Sequence, residues 1–248
     1  MSSTAGAEGE TAYNGLSIVL PTFNEGGSIQ QVIQSLLSLT SNRAIEILVV
    51  DDDSRDGTAD LVRQLARQDP RIRIIQRVGR SGLASAIKEG LIAAIHPIAV
   101  VMDSDGQHEP SAVLEAVRCL EAGGFDLVAG SRFLDHSRIH GLSDRRTDGS
   151  TVANRLARWS LPPNYRHLTD CMSGFLVLRL SPCLQIIRQV DVSGFKFFYE
   201  LLAIRRGQLQ VAAIPLTFQP RLHGSSELDS AILWDFLVSL LHTATLRL

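Results

Sequence analysis

Five short stretches of the chain are almost continuously apolar: LSIVL (16–20), IEILVV (45–50), IRII (72–75), IAVVM (98–102) and DLVAG (126–130). Apolarity without polar alternation over so short a run predicts strands covered on both faces. Helical spacing lies between them. Ile29, Val32, Ile33, Leu36 and Leu37 recur at i, i+3, i+4, i+7 and i+8, and Leu61, Val62 and Leu65 repeat the pattern more briefly. Val113, Leu114 and Val117 follow Pro110, a suitable first helical residue. Strand and helix alternate as far as residue 133, which predicts an open, mostly parallel α/β sheet flanked by helices.

Sheets of that kind bind ligands beyond the C-terminal ends of their strands. The polar stretches fall there: PTFNE (21–25), DDDSRDGT (51–58), GRSG (79–82), DSDGQ (103–107) and SRF (131–133) each follow one predicted strand. In this topology they line a single crevice. Beyond residue 133 the pattern gives way to an Arg-rich stretch, a Pro-Pro break at 162–163 and a mixed region. The expected organisation is a loose, disordered tail over residues 1–14, one α/β domain over 15–228 whose C-terminal half wraps onto it, and a C-terminal amphipathic helix over 229–248.

Composition narrows the chemistry. With 248 residues, 45% of them hydrophobic, the chain can fill a sizeable core. Lys and Arg number 24 against 26 Asp and Glu, so no global charge points to nucleic acid. Cys119, Cys171 and Cys183 are odd in number and lack Cys-x-x-Cys spacing, the pattern of reduced, cytosolic cysteines. The start has neither a basic nor an apolar leader segment, and nowhere do 18 apolar residues run together.

Two acidic clusters carry the candidate chemistry. Asp103 and Asp105 sit one residue apart after an apolar run; on an extended chain they face the same way and, with Gln107, could offer oxygens to one hard cation. Acids after strands also cap helices, so the pair alone leaves both readings open. Asp51, Asp52 and Asp53 follow another strand, where adjacent carboxylates repel unless a ligand or a solvated turn relieves them. No Gly-x-Gly-x-x-Gly follows the first strand and no Gly-Lys-Ser/Thr occurs, which removes the main support for a dehydrogenase or a P-loop NTPase.

The ordered set PTFNE, DDDSRDGT, GLASAIKEG, MDSDGQHEP, GSRF, DCMSGF, GFKF and IPLTFQPRLHG resembles the family 2 glycosyltransferases of the GT-A fold, and within them the dolichol-phosphate mannose synthase group. The likeness spans residues 16 to 228. It implies a GT-A architecture and an inverting, metal-dependent transfer of a single hexose, mannose favoured, from a nucleotide sugar (GDP-mannose or a UDP-hexose) to a polyprenyl phosphate. It also implies roles. Pro21, Phe23, Glu25, Val50 and Asp52 would hold base and ribose. Asp103 and Ser104 would meet the diphosphate, Asp103, Asp105 and Gln107 would hold Mg²⁺ or Mn²⁺, and Lys196 and Arg221 would close over the pyrophosphate. Asp105, Arg132, Arg146 and Ser150 complete the implied catalytic set, Arg132 facing the acceptor phosphate and Arg146 with Ser150 making a second contact.

Residues 132–166 hold seven Arg and three Asp with no Lys or Glu, a local charge of +4 (7 − 3) that suits bidentate phosphate recognition. Arg155 and Arg158 read more simply as a basic surface. A phosphate acceptor is already dianionic near neutral pH and needs no general base; a hydroxyl acceptor does, with Asp170 and Glu200 as candidates. Glu227 stands where relatives often carry Lys, and Thr151 where a basic residue is common. The last segment, 231–248, reads as a helix with a polar stripe at Asp235, Ser239 and His242, able to lie in a membrane interface with Trp234 at headgroup depth or to dock on the domain. The implied location is the cytoplasmic face of a membrane, reached directly or through a membrane partner protein. The alternatives are a UDP-sugar-dependent transferase acting on a soluble or glycolipid hydroxyl, and a non-catalytic nucleotide-sugar binding protein.

Overall fold

A computed structural model describes residues 15–39, 43–80, 82–134, 154–190, 196–204 and 207–217. Seven strands form one sheet: β1 (Leu16–Thr22), β2 (Ile45–Asp51), β3 (Ile72–Gln76), β4 (Ile98–Val101), β5 (Leu127–Ser131), β6 (Leu176–Arg179) and β7 (Val211–Pro215). Their order is β3-β2-β1-β4-β6-β5-β7. β6 runs antiparallel to β4 and β5, while the pairs β1–β2, β1–β4, β2–β3 and β5–β7 are parallel. All five strands expected from the apolar runs form. β6 and β7 lie beyond residue 133, where hydrophobic periodicity assigns no element.

The unbroken apolarity has a simple cause. Alternate residues of each strand enter different cores: Val19, Leu48 and Val50 join the core on one face, Ile18, Leu20, Ile47 and Val49 the core on the other. Helices α1 (Ile29–Leu39), α2 (Thr58–Gln68) and α4 (Ser111–Gly123) bury their apolar stripes on the second face. Helices α3 (Leu83–Ala93), α5 (Leu180–Gln189) and α6 (Phe197–Ile204) cover the first. Each fully buried aliphatic side chain contributes about 1.5–3 kcal/mol, so both faces must be covered for the sheet to persist. α3 lies close because Gly90 has no side chain: a Cβ there would stand 2.4 Å from Val19 Cγ1 and 3.0 Å from Val50 Cγ2.

At the N-terminal end of the strands one buried carboxylate ties several elements together. Glu46 accepts from Ser17 Oγ at 2.5 Å and from the Ile95 N–H at 2.7 Å, and it pairs with Arg73. Ser17 Oγ in turn accepts the His96 N–H at 3.0 Å. Among the described residues no helix is long and apolar enough to cross a membrane. The tail 1–14, Arg146, Ser150, Thr151, Arg221, Glu227 and the segment 229–248 lie outside the described residues.

Candidate active site

The C-terminal ends of β1, β2 and β4 are stitched together by short polar side chains. Ser104 Oγ donates to Pro21 O at 2.9 Å, and Ser28 Oγ lies 2.9 Å from Ser104 O and 2.7 Å from Glu25 Oε2. The Asp52 N–H donates to Thr22 O at 2.9 Å. Beyond it the Asn24 N–H reaches Ser54 Oγ at 2.8 Å, the Gly26 N–H reaches Asp56 Oδ2 at 2.8 Å and the Glu25 N–H reaches Thr58 Oγ1 at 3.0 Å. These loop N–H groups have no strand partner, and the Ser, Thr and Asp side chains supply one. The PTFNE and DDDSRDGT stretches are thus one interlocked surface.

The three adjacent acids separate rather than repel. Asp51 is fully buried, accepting from Thr22 Oγ1 at 3.2 Å and from the Ser54 N–H at 3.1 Å. Asp52 pairs with Arg77 through Oδ1 and accepts the Gly82 N–H through Oδ2 at 2.7 Å. Burial pushes the Asp52 carboxyl above its ordinary range, against the downward pull of the Gly82 N–H and Arg77. Asp53 turns outward with φ 61°. Protein groups, rather than a ligand or solvent alone, relieve the repulsion.

A cavity of about 150 Å³ opens at the same edge of the sheet, where Asp103 after β4, Arg132 after β5 and Lys196 before α6 converge. Its remaining wall is largely apolar, from Leu83 and Ile87 of α3, Phe197 and Phe198 of α6, and Leu216 after β7. Gly174 forms the floor under Asp103, since a Cβ there would lie 2.9 Å from Oδ2 and 3.0 Å from Oδ1. A side chain at 174 would have to displace the Asp103 carboxylate. Arg132 is held from behind by Asp170, whose side chain is fully buried: Nε donates to Oδ2 at 2.7 Å and Nη2 to Oδ1 at 3.2 Å. Asn154 Nδ2 and the Met172 N–H also reach Oδ1, at 3.4 and 3.3 Å. Burial disfavours the charge on Arg132, but the Asp170 carboxylate outweighs it and holds the guanidinium pKa above normal. Lys196 goes the other way: burial, with Arg132 beside it, lowers its pKa despite Asp170 and Asp103.

Asp103 and Asp105 do not share a face by strand alternation. β4 ends at Val101, residues 104–106 bend, and Gly106 takes φ 80°, so the chain is a turn here. Asp103 borders the cavity, while Asp105 is 4% exposed and accepts the Gln107 N–H through Oδ1 at 3.0 Å. Phe23, directly after β1, is 55% exposed. Val50 is different: its side chain is wholly inside the core under α3, leaving only its backbone near the edge. Arg155 lies on the surface, and Arg158 donates to Arg166 O at 2.8 Å. Glu200 lies in the first turn of α6 and is not among the residues that border the cavity.

His108, Gly174 and Arg77 belong to the site's construction although hydrophobic and acidic patterning does not single them out. His108 is buried edge-on against Phe175 with ring centroids 5.6 Å apart, and its Nδ1 accepts the Asp103 N–H at 3.3 Å. Burial holds its pKa below normal, against Asp103 and Asp105. The signal for the first two was their place inside the MDSDGQHEP and DCMSGF motifs.

The donor set suits a hard cation. Asp103, Asp105 and Gln107 offer oxygen only, and among the described residues no group of three or more His, Cys, Asp or Glu converges as a protein cage. A cation here would need phosphate or water oxygens to complete its shell, the manner in which Mg²⁺ and Mn²⁺ are held.

The family model for glycosyl transferase family 2 matches residues 17–180. A dolichol-phosphate mannosyltransferase of Pyrococcus furiosus is 30% identical over 224 residues, covering 90% of this chain and 61% of that protein. The chain therefore spans about three fifths of that relative's length. A dolichol-phosphate mannosyltransferase of Mycosarcoma maydis is 29% identical over 240 residues, covering 93% of this chain and 79% of that one. Glucosyl-3-phosphoglycerate synthase from Mycobacterium tuberculosis, solved with Mn²⁺, UDP-glucose and phosphoglyceric acid, shares the fold with a TM-score of 0.70 at 22% identity, covering 98% of this chain and 86% of that one. The strand order with its single reversed strand, the charged cavity at the C-terminal edge and the family match agree: the chain belongs to glycosyl transferase family 2.

Proposed function

We propose that this protein transfers one hexose, mannose favoured, from a nucleotide-diphosphate sugar to a polyprenyl phosphate, with inversion at the anomeric carbon. The observation that carries the reading is the convergence of one carboxylate, Asp103, and two cations, Arg132 and Lys196, on a single cavity at the end of the sheet. A site that accepts two phosphorylated partners needs cations for both and an anionic anchor for a metal. The two dolichol-phosphate mannosyltransferases support the choice of acceptor and sugar.

In this reading the exposed Phe23 ring, Glu25 and the Asp52 edge, with Pro21 and the Val50 backbone beneath, receive the nucleoside. Asp103 and Ser104 stand at the diphosphate. A divalent cation, held by Asp103, Asp105 and Gln107, would neutralise charge on the departing diphosphate. Lys196 adds positive charge on the same side, joined by Arg221. Arg132, its fork locked by Asp170, orients the acceptor phosphate, with Arg146 and Ser150 as a second contact. A phosphate oxygen bonds to the anomeric carbon as the bond to the diphosphate oxygen breaks, and the nucleoside diphosphate leaves. Positioning supplies most of the acceleration, because the acceptor arrives ionised.

A hydroxyl acceptor fits less well. Asp170 is fully occupied with Arg132, Asn154 and the Met172 N–H, which withdraws it from the role of general base. The transferase would work at the cytoplasmic face of a membrane, where the lipid phosphate is presented, with segment 229–248 or a membrane partner making the contact. The test is transfer of radiolabel from GDP-mannose or UDP-glucose to dolichyl or undecaprenyl phosphate, with Mn²⁺, Mg²⁺ or chelator. Label in the organic phase only with lipid phosphate and metal is expected. Label only in a water-soluble product would overturn the lipid acceptor, and nucleotide-sugar binding without turnover would favour a sensor.

A further inference from the structure

Arg77 is 2% exposed, a full charge inside the protein directly behind the nucleotide edge of the site. Its backbone N–H donates to Asp51 O at 2.8 Å at the end of β3. Its guanidinium reaches two separate segments: it pairs with Asp52 after β2, and at the start of α3 it bonds Ser85 Oγ and donates to Gly82 O at 3.2 Å. Its Nε stands 3.2 Å from Glu89 Oε2, yet is too poorly aligned to count as a hydrogen bond, so that contact is ionic only. Glu89 is also 3.2 Å from Arg80. Asp52, fixed by Arg77 through one oxygen, receives the Gly82 N–H through the other.

Burying such a cluster is a poor way to gain stability. Desolvation costs several kcal/mol per ion, and apolar replacements of similar volume are often as stable or more so. The misaligned Nε adds to the cost of burying a donor. What the cluster does supply is fixed geometry, and the groups it fixes are the ones at the nucleoside end. A directly contacting group works best when a partner behind it is already in place.

We propose that Arg77 is a positioning residue for the nucleotide sugar: it holds the Asp52 carboxylate and the Gly82 backbone in the arrangement that receives the nucleoside, without touching the ligand. This rests on the transferase reading for the identity of the ligand. Arg77→Gln should weaken binding of UDP or GDP in the presence of Mn²⁺ by about tenfold or more in calorimetry, the loss typical of removing a partner behind a contacting group. KM for the donor should rise in step while kcat changes little, the mark of lost uniform binding. Arg77→Lys keeps the charge but not the fork, and should recover only part of the affinity. Asp52→Asn and Arg77→Gln combined should cost less than the sum of the two single losses, since Arg77 acts through the contact that Asp52 makes.

Three outcomes are separable. Wild-type protein that binds neither nucleotide sinks the transferase reading itself. Wild-type protein that binds, with folded Arg77→Gln or Arg77→Lys binding equally tightly, overturns the positioning role. If Arg77→Gln does not fold, Arg77→Lys decides: wild-type affinity refutes the proposal and a rise in KM at constant kcat supports it.

Discussion

The two ends of the same sheet hold buried charge in opposite ways. At the N-terminal end Glu46 is enclosed and 2% exposed, with Ser17, the Ile95 N–H and Arg73 all directed at it. At the C-terminal end Asp103, Arg132 and Lys196 border a cavity, and Asp103 keeps about a third of its side chain exposed (34%). One end closes its electrostatics on itself and is scaffold. The other leaves them directed at a space, and a group whose field is directed at a space can act on what enters it. The parallel arrangement is responsible: loops at the C-terminal edge carry the polar residues, while the opposite edge only has to be sealed.

Breaking each end should therefore give opposite phenotypes. The largest effect is expected from Asp103→Ala, which should reduce transfer by roughly 10²–10³-fold, as for loss of one preorganised electrostatic group, while the melting temperature stays near wild type. Chelation should abolish the same activity, with Mn²⁺ or Mg²⁺ restoring it; full activity of Asp103→Ala would falsify the site. Glu46→Ala should do the reverse, costing about 3 kcal/mol because Ser17 Oγ, the Ile95 N–H and Arg73 lose their acceptor. That corresponds to a drop of roughly 6–12 °C in melting temperature, with donor KM unchanged. A shifted KM would show that the two ends are not independent.

Two smaller perturbations sharpen the C-terminal end. Gly174→Ala places a methyl against both Asp103 oxygens and should slow transfer by about tenfold, or 1.4 kcal/mol, with thermal stability little affected. Lys196 should set an alkaline limb. Its pKa lies below the ordinary 10.5 because it is buried beside Arg132, so the free enzyme loses this charge as pH rises through the lowered value. A bound diphosphate favours the ammonium, so the limb in kcat should sit at higher pH than the limb in kcat/KM. For stability the sign follows from proton binding: between the lowered folded pKa and 10.5 the unfolded chain holds more protons, so the destabilisation from burying charged Lys196 is relieved as pH rises. Coincident limbs in the pH profiles would remove Lys196 from the diphosphate.

The apolar runs determined β1 to β5 without any tertiary information, because a strand packed on both faces must be apolar at successive positions, and the 3.6-residue spacing of Ile29 to Leu37 determined α1 in the same way. Motif order carried the family, and Asp103, Arg132 and Lys196, each from one of those motifs, border one cavity. What only the folded chain decided is how those residues are held. The chain bends at residues 104–106, so that Asp103 borders the cavity while Asp105 accepts the Gln107 N–H, Arg132 meets Asp170 from 38 residues away, and Arg77 joins Asp52 to α3. Local patterns report which face a residue takes on its own element. They are silent on which distant charge will stand behind it, because that is settled by strand order and by helix packing across the sheet.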